Sequence, residues 1–337
     1  RQMCIRDSLS SDPNKLLGKA CKSLQELYGK IFYLLQTQPK YFSELLNNME
    51  FRGLRNEEKT LEGHIENWLL KVFNFGIVTV STPTAPNREE FLLMKLILYT
   101  ATDYFDEIDT DTAFHNFLKQ RQVLTYDKMG HWEMLLIAYI NLPQQRLFAK
   151  NLFSNLILRI TSDSDAWYES DPSKIYKALL VKDEENGKIT LKNLNMEDPI
   201  DDPDTRQQFV KNLSGLREAS YDTMKIIGDS VSKLPLYLRS ICREIYLQLR
   251  DQFPGESEKY YLSAVGSVFL KCYVLPLFIK PSNYSIDIAG ISDEFETVEK
   301  VMGNLEQVAC VLNQLVSMRP FSSTNMYLQP LNPFIAE

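Results

Sequence analysis

At 337 residues the chain is long enough for two domains or one large helical domain, and 44% hydrophobic with 24% charged residues is the balance of a globular protein with a real core. A net charge of −7 argues against non-specific nucleic-acid binding, which depends on Lys and Arg neutralising phosphates, and 13 glycines are too few for turn-dense β architectures or glycine-rich phosphate loops. Five scattered cysteines without a C-x-x-C, and three histidines far apart in the sequence, provide neither a disulfide framework nor a metal-ligand spacing, so reduced buried thiols in a cytosolic protein are expected.

The opening R-Q-M-C-I-R-D-S carries no periodicity and reads as a tag or a frayed end; residues 1–14 are set aside, and the chain is expected to be a piece of something larger. From 16 to 36 the apolar residues Leu16, Ala20, Leu24, Leu27, Tyr28, Ile31, Phe32 and Leu35 trace one face of an amphipathic helix. Helices are predicted next over 39–49 and 57–75, then a loop at T-V-S-T-P-T-A-P. Asn87 with Glu90 three residues on is a capping-box pattern ahead of an apolar run, which predicts a helix from there to about Tyr104. Residues 15–110 are expected to form an extra helical subdomain.

A helix over 111–122 is followed by V-L-T-Y-D-K-M-G-H-W, a loop with Gly130 as its only glycine. Helices resume over 133–140 and 144–160, and a surface loop follows at Asp163-Ser164-Asp165. Asp171-Pro172 opens another short helix. Residues 182–204 are polar and acidic and read as a solvated loop, Asp201 and Asp202 included. From 205 to 231 Phe209, Leu213, Leu216, Ala219, Met224, Ile227 and Val231 sustain a long helix. Pro235 opens the next helix, which runs to about Gln252, and Pro254-Gly255 turns the chain.

Residues 265–281 are strongly apolar. Val265, Val268, Phe269, Cys272 and Tyr273 recur at helical spacing, and Pro276 predicts a kink or break at Leu275-Pro276, with Pro281 stopping the turn beyond. This run is expected to be a buried core helix, and no stretch is expected to be long and apolar enough to span a membrane. A helix over 293–318 and a short one over 325–335 end the chain. Only weak strand patterns occur, at 77–81 and 188–194. The predicted fold is all-α, about a dozen helices without an internal repeat, with a central domain over 111–337. No G-x-S-x-G, P-loop or H-E-x-x-H motif is present, so composition and spacing alone define no catalytic site.

Particular residues carry more. L-P-L-Y-L-R at 234–239 and F-L-K-C-Y-V-L-P-L-F-I-K-P at 269–281 resemble the signature of Ras GTPase-activating domains, whose second motif reads approximately F-L-R-x-x-N-P-A-I-x-x-P. The chain is most similar to the IQGAP branch, through D-P-S-K-I-Y-K at 171–177, I-F-Y-L-L-Q-T-Q-P-K-Y-F at 31–42, R-E-E-F-L-L-M-K-L at 88–96, the N-L-x-x-V-A-x-x-L pattern at 304–312 and N-M-Y-L-Q-P-L-N-P-F-I at 325–335, all in the family's order. The resemblance implies a helical domain that docks a small GTPase of the Rho or Ras family, with no cofactor or metal. It implies a parent scaffold that also binds actin and calmodulin or myosin light chain, in the cytoplasm at the cell cortex, cytokinetic ring or bud neck.

The departures from the family pattern are as informative. The arginine finger that stabilises charge on the transferring phosphoryl group falls at Thr125, whose hydroxyl cannot supply that charge. The arginine that braces the finger loop is matched by Lys271, the asparagine before Pro276 by Leu275, and a lysine on the penultimate long helix by Cys310. Arg239 belongs to the first motif and is either a GTPase contact or a cation tying helices together; Lys271 equally could snorkel from a core helix. The resemblance thus implies a GTPase-binding surface with Thr125, Arg239, Lys271, Leu275, Pro276 and Cys310 and without catalysis. Two alternatives stand beside it: an active GTPase-activating protein using Arg121 as a displaced finger, and a helical adaptor that has lost GTPase binding.

Overall fold

The structure, a computed structural model, describes residues 22–51, 72, 88–108, 110–120, 130–141, 143–163, 166–185, 198–286, 288 and 295–337. Among them every regular element is helical. They are α1 (Lys22–Thr37), α2 (Pro39–Phe51), α3 (Arg88–Asp106), α4 (Asp111–Gln120), α5 (His131–Ile140), α6 (Pro143–Ser162), α7 (Pro172–Glu185), α8 (Pro203–Ser230), α9 (Leu236–Gln252), α10 (Glu258–Phe269), α11 (Leu275–Ile279), α12 (Phe295–Ser317) and α13 (Asn332–Ala336), with short 3₁₀ turns between several of them. The predicted helix over 57–75, the loop after it and both weak strand patterns lie outside the described residues, apart from Val72.

The described residues fall into two compact units, Arg1–Arg146 with Lys233–Cys272, and Leu147–Ser232 with Tyr273–Glu337. Helices on both sides of residue 110, the expected subdomain boundary, belong to the first unit.

In the first unit α3 is the central helix, packed by α1, α2, α5 and α9. Leu93, Leu96, Ile97, Ala101 and Phe105 are buried at helical spacing, each contributing about 1.5–3 kcal/mol if a large side chain. Its last carbonyls are not left bare: Gln252 Nε2 donates to the carbonyls of Phe105 and Ile108 at 2.7 and 2.9 Å. Tyr104, Phe105, Phe117 and Trp132 form an aromatic cluster with ring centroids 5.5–6.4 Å apart. Gly130 sits against it, because a Cβ there would lie 2.9 Å from the Trp132 ring, and its N–H donates to Glu133 at 3.1 Å, which fixes the start of α5. The apolar stripe expected of α1 is left largely open: Leu27, Tyr28 and Ile31 are exposed.

One polar chain crosses this core. Tyr139 donates its hydroxyl to the buried Glu90 carboxylate, Gln145 Nε2 donates to the Tyr139 oxygen at 3.0 Å, and Tyr237 donates to Gln145 Oε1 at 3.1 Å. Burial, with Tyr237 and Glu90 adding to it, drives the Tyr139 phenol far above the usual tyrosine range, so it stays a donor at any physiological pH. Glu90, read from sequence as a capping residue, therefore has a tertiary role; Asn87 lies outside the described residues.

In the second unit α8 is packed by α7 and α12. Its start corrects the reading of 182–204 as a solvated loop. Asp201 is exposed and pairs with Arg206, but Asp202 is buried and caps the helix, accepting from the Thr205 N–H and hydroxyl, both at 3.0 Å. α7 also runs on to Glu185, into the expected loop.

The apolar run at 258–279 is the buried helix expected, kinked rather than broken, and differs from expectation in one respect, its membrane-spanning length. The chain does not break at Leu275-Pro276: α10 passes through a five-residue π turn, Leu270–Val274, and continues as α11 with Pro276 in its first turn. Widening the turn ahead of the proline accommodates the hydrogen bond that Pro276 cannot make. By length and composition Glu258–Ile279 would also suffice to cross a membrane, contrary to expectation, but 67% of that window is buried inside the protein, as a core helix requires.

Two substitutions test this account. Tyr139→Phe is expected to lower stability to urea by about 1–3 kcal/mol, because a buried carboxylate loses a donor. Asp202→Ala is expected to cost about 0.5–2 kcal/mol through loss of the α8 cap, with Asp201→Ala near neutral; equal effects of the two in urea denaturation would refute the cap assignment.

Candidate functional site

The residues singled out from the sequence are divided between the two units, and each group is positioned by its own packing. Thr125 and Arg121 lie outside the described residues; the segment that carries them is followed by the Gly130–Glu133 contact at the start of α5.

Arg239 and Lys271 belong to the first unit. Arg239 is half-buried in the first turn of α9, and its Nε donates to the Leu234 carbonyl at 3.1 Å. That bond ties the side chain back to the turn before its own helix. It uses one guanidinium donor of five and leaves the remainder of the fork available to other partners. Lys271 lies in the π turn with only 8% of its surface exposed. A lysine nitrogen is a point donor and cannot brace a loop through two parallel hydrogen bonds as a guanidinium does.

Leu275, Pro276 and Cys310 belong to the second unit. Leu275 is 1% exposed and Pro276 half-buried. Cys310 is half-buried on α12, and desolvation pushes its thiol above the ordinary range. Cys242, on α9, is pushed up to about 12 by burial, in keeping with an inert core thiol. No group of three or more His, Cys, Asp or Glu side chains suited to a metal ion occurs among the described residues.

Sequence reasoning passed over the polar side chains that hold the loop between α6 and α7. Asn304, buried on α12, accepts from the Tyr168 N–H at 2.7 Å and donates to the Ala166 carbonyl at 2.9 Å. Asn212, buried on α8, donates to the Glu169 carbonyl at 2.9 Å. An asparagine in the middle of an apolar helical face was the available signal, since burial of an amide requires partners.

Comparison with known proteins agrees with this arrangement. The family profile described as GTPase-activator protein for Ras-like GTPase matches residues 112–317, more than half of the chain. Among curated proteins, the chain is 28% identical over 327 residues to the Ras GTPase-activating-like protein IQG1 of Candida albicans, a match covering 95% of this chain and 19% of that protein. It is 23% identical to IQGAP2 of Mus musculus, over 96% of this chain and 19% of the relative, and 21% identical to rng2 of Schizosaccharomyces pombe, over 95% and 20%. The chain thus spans about a fifth of the length of these relatives. A family profile over most of the helical region, with relatives of one kind aligned across nearly the whole chain, leads to one assignment: the chain belongs to the family of GTPase activators for Ras-like GTPases, in its IQGAP-like branch.

Proposed function

We propose that this domain binds a small GTPase of the Rho or Ras family without accelerating its GTP hydrolysis, as the GTPase-recognition module of an IQGAP-like scaffold. The observation that carries the reading is the core helix Glu258–Ile279: its π turn and Pro276 are in place, but Lys271 and the buried Leu275 stand where the family pattern has arginine and asparagine. Thr125 at the finger position and Cys310 in place of a lysine point the same way. Transition-state charge on the phosphoryl group needs fixed cations, and an arginine finger is worth about 10³–10⁵ in rate. None of the four residues supplies a guanidinium.

In this proposal residues 111–337 form the GTPase-activator-related domain and 15–110 an extra helical subdomain. Arg239, half-buried in the first unit, and Pro276 and Cys310, half-buried in the second, are the part-exposed positions of the proposed recognition set, and Lys271 and Leu275 are its buried members. The parent protein would bind actin and calmodulin or myosin light chain through other regions and act at the cell cortex, cytokinetic ring or bud neck. Such a module would hold a GTPase in its GTP-bound state and so prolong the signal at an actin structure.

Single-turnover hydrolysis by a panel of Rho- and Ras-family GTPases, with and without the domain, is expected to change by less than about tenfold. A larger acceleration that Arg121→Ala abolishes would instead establish the displaced finger. In pull-downs at least one GTPase of the panel is expected to bind in its GTP-loaded state; absence of binding in both nucleotide states would assign the chain to the helical adaptors.

A further inference from the structure

The second unit carries a groove that the GTPase reading does not use. It lies between the C-terminal half of α6 and the middle of α8, has a volume of about 860 Å³, and is lined by Ile160 and Ala219, by Trp167 and Tyr168 from the connecting loop, and by charged side chains. The loop is fixed in place. Asn304 holds both sides of Trp167 through Ala166 and Tyr168, Asn212 holds Glu169, and Ser170 donates to Gln307 at 3.3 Å. Opposite Tyr168, α8 carries Gly215, and a Cβ there would lie 2.9 Å from the tyrosine ring. The glycine allows the ring to lie on the helix backbone, a close approach that explains its place inside a helix.

The rim is unevenly charged. Asp163, Glu218 and Asp222 face Arg159 and Lys211. Arg159 pairs with Asp222 at 2.8 Å and only grazes Glu218 at 4.0 Å; Glu218 is 74% exposed, and no closer cation pairs with it among the described residues. The Tyr168 phenol registers the resulting field: burial is the first cause of its raised pKa, and Asp163, Glu218 and Asp222 outweigh Arg159 in raising it further. A cation entering beside Tyr168 would meet a net negative rim and an aromatic face, and an aliphatic side chain beside it would cover Ile160 and Ala219.

We propose that this groove is a docking site for a basic, aliphatic peptide segment of a partner protein, its lysine or arginine placed between Tyr168 and the exposed Glu218. Charge complementarity selects this occupant over an acidic one. An acidic segment would have to compete with Asp222 for Arg159 and would add to the three carboxylates of the rim. Its lining includes none of the residues proposed for GTPase recognition, so it would give the scaffold a second attachment point.

The test uses the full chain and a fluorescein-labelled pentapeptide alternating lysine and leucine, with a glutamate–leucine peptide as its charge-reversed partner. Fluorescence anisotropy is expected to show saturable binding of the basic peptide alone, weakened by salt. Glu218→Lys, at an exposed position, is expected to weaken binding by about fivefold or more, as is Tyr168→Ala, with helical circular dichroism unchanged for the first. Trp167→Phe is expected to remove the tryptophan fluorescence change while leaving anisotropy binding in place. Equal binding of the glutamate–leucine peptide, basic-peptide binding indifferent to Glu218→Lys, or no saturation up to about 1 mM would each overturn the proposal.

Discussion

Pro276 has no amide proton to donate, and the core helix is built around that absence. In a regular α-helix the carbonyl four residues earlier would lose its partner and meet the pyrrolidine ring. The chain responds over five residues, Leu270–Val274, by opening into a π turn, and then resumes α geometry with Pro276 in the first turn, where a missing N–H matters least. The turn is buried throughout, so the backbone change is held by packing on every side. Lys271 and Leu275, two residues on which the proposed function rests, sit in it or directly after it. Their placement follows from the proline.

Both units rely on a few buried polar side chains to convert helix packing into fixed geometry. In the first, Glu90, Tyr139, Gln145 and Tyr237 form one connected chain of hydrogen bonds, and Gln252 closes the end of α3. In the second, Asp202 starts α8, and Asn212 and Asn304 hold the loop between α6 and α7. Hydrophobic burial supplies most of the stability but is not directional. The amides and carboxylates set register, because each has a small number of geometries that leave no buried donor or acceptor without a partner.

In the proposed function, recognition and catalysis make different physical demands on the same scaffold. Binding a GTPase requires shape and a complementary surface, which helices packed in the family manner can provide. Accelerating hydrolysis requires permanent positive charge delivered to a phosphoryl oxygen and held there. Threonine, leucine and cysteine at the corresponding positions are neutral, and lysine lacks the planar fork. A fold can therefore survive substitutions that remove a reaction, since the stabilising interactions and the reacting charges reside in different side chains.

Much of this was legible in the order of residues. Helical periodicity placed α2, α3, α5, α8, α9 and α12 to within a few residues, since an apolar face must recur every three or four positions to be buried. The motifs at 234–239 and 269–281 indicated the family before any geometry was known. Periodicity could not decide the response to Pro276, because whether a helix breaks or widens depends on what surrounds it. Nor could it separate Asp202 from Asp201: the two adjacent carboxylates have the same intrinsic chemistry, and only packing against the start of α8 makes one a buried cap and leaves the other in water. The same limit applies to Asn304, Gly215 and Tyr168, which come from three distant parts of the chain. Local sequence determined the helices and the charges this protein can present; tertiary structure alone decided which polar groups are buried together, because burial is set by neighbours that are far apart in the sequence.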